Sequence, residues 1–477
     1  MTKNKLESEV IPDSEQQEDT PLSAYFISLA IENVRCFGPK QTLDLSDGKG
    51  RPAQWTIIIG DNGFGKTTLL RALAALTPRL RLMDNSEGMM EKLSMPRYNE
   101  DDRMRTKWRL QRGVVDRTRA RLAPSLYRNS QRHFLSANFL VNVELTDCRE
   151  GVKIEDYYVE EHPLGSRKAR YKKYEIFRQF ACFGYGASRR MGEASLSEEA
   201  ADDPFASLFF DDAPLLNAEE WLLQADYAAH AGSNEIARKR AAIRRDEIKE
   251  VLLRILPEID DIRISPIIQM QTKPSVRVQT KYGWVDIKDL SLGYKTLIAW
   301  MVDFASRMFE RYPDSPNPLA EPAVVLVDEI DLHLHPKWQR VLMSYLSERF
   351  PNTQFIATAH SPLVVQAASD ANVVLLRREG DHVVIDNDVK DIHGWRVDQI
   401  LTSDLFGLES ARPPQLDNLL AERAKILSKS RLTKKDRARL EQIEAEIGSL
   451  PTGETPEDME AMDIIRRAAS HLKAQGR

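Results

Sequence analysis

The stretch Gly60-Asp61-Asn62-Gly63-Phe64-Gly65-Lys66-Thr67-Thr68 sets glycines, a lysine and a hydroxyl residue at the spacing GxxxxGK[ST]. Such a segment can hold phosphates: Gly60, Gly63 and Gly65 let backbone N–H groups curl around the oxygens, and Asn62 and Thr68 flank that curl. Lys66 reaches the outer phosphates and Thr67 offers its hydroxyl to Mg²⁺. Further along, the apolar run Val324 to Val327 ends in Asp328-Glu329. Strand ends are where a parallel sheet presents ligands. Asp328 there would hold Mg²⁺ through its water shell, and Glu329 would polarise a water attacking a phosphoryl group. A solvated strand end is the alternative for two acids taken alone.

Gln354 to Thr358 repeats the pattern and ends in Ala359-His360-Ser361-Pro362. His360 is a candidate contact for the terminal phosphate or its attacking water; a histidine at a strand end is also commonly structural. Leu290-Ser291-Leu292-Gly293-Tyr294 places a serine before a helix, which by itself reads as an N-cap.

These residues need elements to position them. Alternation over Phe26 to Val34 and the apolar run Trp55 to Ile59 read as strands, the second entering the glycine-rich loop. Leu69, Leu70, Leu73 and Leu76 recur at helical spacing before Pro78. Arg79 to Arg132 is arginine-rich and reads as partly helical. Strand alternation resumes at Phe139 to Leu145, Val152 to Val159 and Tyr174 to Phe183, the last closing on Gly184-Tyr185-Gly186-Ala187-Ser188-Arg189-Arg190. Leu215 to Leu256 favours two helices broken at Gly232-Ser233-Asn234. Strands return at Ile262 to Met270, Val276 to Gln279 and Trp284 to Ile287, before an apolar helix through Met308. Ala323 to Val327 and Gln354 to Thr358 are continuous apolar runs, as in buried parallel sheets. Val373 to Arg378 and Val383 to Ile385 form a hairpin turning at Glu379-Gly380-Asp381, and the remainder from Pro413 is charged and helical.

The 477 residues suffice for one large core with insertions or for several domains. No run approaches the roughly 20 apolar residues of a membrane helix, which excludes a fused membrane domain. The acidic first twenty residues lack the basic start and apolar stretch of a signal peptide. Cys36, Cys148 and Cys182 have no CxxC spacing, so neither a disulfide framework nor a zinc site is indicated and a cytoplasmic location fits. The net charge of −5 conceals a basic stretch, in which Arg103, Arg105, Lys107, Arg109, Arg112, Arg117, Arg119 and Arg121 surround Trp108, a candidate nucleic-acid footprint or a solvated helical face.

In this order the motifs resemble an ATP-binding cassette ATPase of the SMC/RecF-like branch, over residues 26 to about 370. Gly60–Thr67 is similar to Walker A, Leu290–Tyr294 to the LSGGQ signature, Asp328-Glu329 to Walker B, His360 to the switch histidine and Leu332-His333-Leu334-His335-Pro336 to the D-loop. Leu292 and Tyr294 depart from the signature, and His335 stands where transporter ATPases have an aspartate. The Q-loop glutamine has no secure counterpart: Gln179 falls inside a strand, which leaves the Tyr185–Arg190 turn.

The resemblance implies ATP and Mg²⁺ as cofactors, Glu329 and His360 as catalytic residues, and an obligate dimer in which Ser291 and the Gly293 N–H face ATP held by the other copy. The implied fold is α/β, an ABC/SMC-type P-loop ATPase head with a mixed sheet, short helical arm insertion and C-terminal helical tail. The expected organisation is a disordered acidic tail over 1–22, an ATPase domain over 23–411 with a basic insertion at 79–135 and a helical arm at 191–260, and a helical region over 412–477. Phe205–Phe209, Glu220-Trp221-Leu222, Leu332–Trp338 and Gly394–Leu408 further resemble the PtuA-type ATPases of Septu and some retron antiphage systems. That implies an HNH nuclease partner, with Leu419, Leu420, Ile426 and Leu427 of the tail as its dock. A DNA-repair ATPase acting alone and a transporter's nucleotide-binding subunit are the alternatives. A Toprim nuclease at Glu379 and Asp386-Asn387-Asp388 is set aside, because no strand–helix unit fits between these acids.

Overall fold

The computed structural model describes residues 23–77, 79–85, 88–94, 115–128, 131–134, 139–148, 151–161, 180–193, 203–232, 234–256, 258–265, 274–368, 370–389, 392, 394–429 and 432–449. The chain divides into two units, 1–397 and 398–477. The acidic segment 1–22, Arg103–Arg112, Trp108 and Gln179 lie outside the described residues.

In the first unit the strands are β1 (Ser23–Glu32), β2 (Gln41–Asp44), β3 (Trp55–Gly60), β4 (Arg79–Asn85), β5 (Gly88–Ser94), β6 (Val115–Arg128), β7 (Gln131–Phe134), β8 (Phe139–Cys148) and β9 (Gly151–Glu161). They continue as β10 (Cys182–Tyr185), β11 (Ile259–Ser265), β12 (Ser275–Thr280), β13 (Gly283–Asp286), β14 (Ala323–Val327), β15 (Thr353–Thr358), β16 (Asn372–Glu379) and β17 (His382–Asp386). A central sheet runs in the order β10-β14-β15-β3-β16-β17. All its pairings are parallel except β16 with β17, so the sheet is mixed. Every residue of β14 and β15 is buried; β14 is apolar throughout, whereas β15 buries Thr353, Gln354 and Thr358 along with Phe355, Ile356 and Ala357.

Alternation along these strands sends side chains to two faces. Ile58, Val324, Leu326, Ile356 and Val374 join a core with Leu69, Leu70 and Leu73 of the helix Lys66–Ala75 and with Phe26 and Leu29 of β1. On the other face Phe183 and Phe355 meet Phe304 of the helix Leu292–Arg311, at 5.7 and 6.5 Å between ring centroids. Trp55 stacks on Phe355 at 4.3 Å, in register with it across β3 and β15.

A second, antiparallel sheet runs β2-β1-β6-β8-β9, with β7 on β6; β4 and β5 form a hairpin, and β11, β12 and β13 a small sheet. The described parts of Arg79–Arg132 are β4, β5, β6 and β7, and the rest of the stretch expected to be partly helical lies outside the described residues. Arg79-Leu80-Arg81-Leu82 and Arg117-Thr118-Arg119-Ala120-Arg121 alternate with period two, and that period outweighs the helix propensity of arginine and leucine. Arg117, Arg119 and Arg121 lie within β6. The helical arm consists of helices Ala218–Ala231 and Glu235–Ile255, capped by Asn217 and Asn234 through bonds to Glu220 N and Ala237 N.

In the second unit the helices Pro414–Leu427 and Lys434–Ser449 pack on each other through Leu416, Ile426, Ile443 and Ile447, with Leu419 and Leu420 against that cluster. The apolar series proposed as a docking stripe is thus largely occupied inside this hairpin, and only Leu427 of it is exposed. Among the described residues no helix is long and apolar enough to cross a membrane.

The two large sheets meet at Gln354, which is 2% exposed. Its amide accepts from Phe26 N at 2.9 Å and donates to Phe26 O at 2.8 Å, beside the point where the β1–β6 register slips. Gln354→Leu fills the same space but strands both backbone groups. Urea unfolding should show stability lower by roughly 2–4 kcal/mol, given about 1–3 kcal/mol for each buried unsatisfied group. An unchanged midpoint would show that water reaches Phe26.

Candidate active site

Gly65 ends the phosphate loop at φ 84, and a Cβ there would lie 2.6 Å from Cys36 Sγ. Only glycine both adopts that angle and clears the turn after β1. No side chain caps the start of the helix Lys66–Ala75. Its first-turn N–H groups and positive end point out of the loop, as an anion site requires. Lys66 is buried, with Nζ donating to Gly60 O at 2.6 Å and Asp61 O at 3.1 Å. Burial pushes its ammonium below the ordinary lysine value, against the opposing pull of Asp328 and Glu329.

Strands β14, β15 and β3 end side by side, which gathers their terminal residues. Thr67 Oγ1 donates to Asp328 Oδ2 at 2.7 Å, and Thr358 Oγ1 donates to Asp328 Oδ1 at 2.7 Å. The Thr358 hydroxyl also accepts from Glu329 N at 2.7 Å. Glu329 has φ 48, a left-handed backbone that costs a bulky residue on the order of 1–3 kcal/mol. A cleft of about 310 Å³ is lined by Asn62, Gly63, Gly65, Lys66, Thr67, Thr68, Asp328, Glu329 and His360, together with Arg35 and Cys36. The structure therefore brings the phosphate loop, the carboxylate pair and the histidine into one place. His360 N donates to both oxygens of Asp331, at 3.3 and 3.1 Å.

Ser291 and Gly293 do not line this cleft. Ser291 occupies the cap position of the helix Leu292–Arg311, yet its side chain makes no capping bond and is exposed. A Cβ on Gly293 would run into the carbonyl of His333, so the signature segment packs against the D-loop segment of the same chain. Tyr294 lies edge-on to Trp338 at 4.6 Å, a contact the usual signature glutamine could not make. His333 and His335 are exposed, and among the described residues no group of three His, Cys, Asp or Glu is placed to hold a metal ion.

Four residues escaped the sequence reading. Thr358 ends a strand one step past the Val327↔Ala357 pair, so only the register places it beside Asp328. Asp331 follows the carboxylate pair but faces the histidine's main chain. Arg35 donates to Thr68 Oγ1 at 3.4 Å from the turn after β1. Arg189 is buried in the turn after β10 and donates to the carbonyls of Asp328 and Glu329. The Tyr185–Arg190 turn was the available signal for it, without any indication of its partners.

The profile of a family described as "AAA domain, putative AbiEii toxin, Type IV TA system" matches residues 151–366, and that of a family described as "AAA domain" matches residues 28–250. The chain is similar to Septu protein PtuA of Bacillus mycoides, 25% identical over 397 residues, covering 80% of this chain and 45% of that one. It is also similar to the Retron Vc95 probable ATPase of Vibrio cholerae, 38% identical over 129 residues, covering 27% of this chain and 24% of that one. The chain thus spans less than half the length of these relatives. Among solved structures, an SMC head bound to the C-winged helix domain of ScpA is similar at TM-score 0.40 and 14% identity, over 76% of this chain and 96% of that one.

Because one hydroxyl serves both acidic residues, Thr358→Val is a sharp probe. It keeps the shape but leaves Glu329 N unpaired and removes a donor from Asp328. Stability in urea should fall by about 1–3 kcal/mol, and Mg²⁺-dependent nucleotide binding, read by calorimetry, should weaken. Wild-type values for both would show that the hydroxyl is dispensable.

Proposed function

We propose that this chain, which carries a P-loop ATPase domain of the ABC/SMC type, binds ATP with Mg²⁺ and hydrolyses it in a site completed by a second copy. The observation that carries the reading is the Thr67–Asp328 hydrogen bond inside the cleft that also holds Lys66, Glu329 and His360. The loop N–H groups and Lys66 bind and orient the phosphates. The oxygens of Thr67 and Asp328 fit Mg²⁺, a cation that takes oxygen ligands and, when bound, neutralises charge on the phosphate oxygens. Glu329 orients water and accepts its proton, while His360 contacts the terminal phosphate from the neighbouring strand end. Phosphoryl transfer needs positioning and charge stabilisation more than covalent help.

The second copy enters through Ser291 and Gly293. Ser291 caps nothing, and Leu292 beside it is 54% exposed, so this helix start offers free donors and an apolar side chain to a partner. In the dimer these residues face the ATP of the other copy. The likeness to Septu and retron ATPases supports a place in a cytoplasmic antiphage defence complex, in which ATP turnover controls a separate HNH-type nuclease. Nucleic acid would be met by the basic stretch, of which Arg117, Arg119 and Arg121 lie together on β6.

Glu329→Gln should retain ATP binding and slow steady-state hydrolysis by about 10²-fold or more; an unchanged rate removes Glu329 from the chemistry. Ser291→Arg and Lys66→Ala chains should each be inactive, and mixing them should restore activity through dimers with one intact site. Full hydrolysis by Ser291→Arg alone would refute the shared site. Purified with its neighbouring nuclease, the chain should enter one complex, whereas DNA cleavage by the chain alone would contradict a separate nuclease. If the arginines of the basic stretch meet duplex phosphates, each one neutralised should flatten the salt dependence of DNA binding by nearly one log–log unit.

A further inference from the structure

Arg189 carries its charge into the interior, at 4% exposure. Its Nη1 donates to Gly186 O at 2.9 Å and to Asp328 O at 2.6 Å, and its Nη2 donates to Glu329 O at 2.9 Å. The ring of Trp300, from the helix that begins at the signature segment, lies 5.4 Å from the guanidinium carbon. Burial lowers the arginine to about 10, against the pull of Asp328, Asp331 and Glu329, so it remains cationic at neutral pH.

The geometry matters because of what a strand does with successive carbonyls. In extended chain they point to opposite sides, so one planar fork could not receive both. Here the carbonyls of residues 328 and 329 reach the same guanidinium, and the turn that lets them do so is the left-handed φ of 48 at Glu329. Thr358 holds the opposite side of the same peptides: its hydroxyl accepts from Glu329 N, and its carbonyl accepts from Ile330 N at 2.9 Å. Glu329 is thereby fixed on both sides, with its side chain lining the nucleotide cleft.

We infer that Arg189 is a positioning residue for hydrolysis, whose guanidinium holds the main chain of Asp328-Glu329 in the left-handed turn that aims the Glu329 carboxylate into the cleft. The inference rests on the ATPase reading proposed above. Lysine cannot replace the arginine here, because a point charge lacks the planar fork that spans two carbonyls. The Trp300 face braces the fork from the side of the signature helix.

The test compares Arg189→Lys and, should a buried ammonium prevent folding, the uncharged Arg189→Gln. With KM for ATP little changed, kcat should fall by about 10²-fold, the scale of a misplaced catalytic group. Added to Glu329→Gln, the same substitution should cost almost nothing further, because Arg189 acts only through that carboxylate. Independent, multiplying losses would overturn the inference, as would wild-type kcat in a folded variant. A crystal structure of the variant gives a readout without turnover: Glu329 should return to negative φ, and retention of the left-handed turn would refute the assignment. A wild-type chain without ATPase activity would instead sink the proposed function, and the Glu329 backbone would still decide the role of Arg189.

Discussion

Burial of a carboxylate at the end of an apolar strand is the constraint on which the site depends. Asp328 is 5% exposed at the end of β14, and an ionised group so placed needs partners close at hand. Each of its oxygens receives a threonine hydroxyl, one from the phosphate loop and one from the strand between. The central sheet order makes this possible: β15 separates β14 from β3, so Thr358 sits between Asp328 and the loop that follows β3. Local satisfaction of one buried acid thus joins three strand ends into one surface.

Charge balance sets the second layer. Asp328, Glu329 and Asp331 stand near two buried cations, Lys66 and Arg189. The two play different parts because of where they come from. Lys66 begins the helix after the loop, lines the cleft and is held by carbonyls of its own loop. Arg189 approaches from the turn after β10 and holds main chain. Both direct their hydrogen bonds to carbonyls, and the oxygens of Asp328 are met by threonine hydroxyls instead.

The helix from Leu292 to Arg311 links this site to the exposed signature segment. Tyr185 donates to Asp303 Oδ2 at 2.9 Å, and Arg307 Nε donates to the same oxygen at 2.8 Å, deep in the packing between the helix and β10. With Trp300 over Arg189, the helix is tied to the strand and turn beside the carboxylate pair.

The sequence by itself determined what is local. Gly60–Thr67 fixes its own curl because φ, helix start and lysine reach depend on neighbours in the chain, and the unbroken apolar run of β14 declares a strand buried on both faces. Within the arginine-rich stretch, β6 forms where arginines alternate with period two, a local pattern that competes with the helix preference of the same residues. Tertiary structure alone decided the rest. Thr358 becomes a ligand of Asp328 through strand register, Gln354 becomes a clamp on Phe26 through contact between sheets, and Arg189 acquires its carbonyls from a segment about 140 residues away in sequence. Register, sheet order and long-range closure follow from packing the whole chain, so no short motif could encode them.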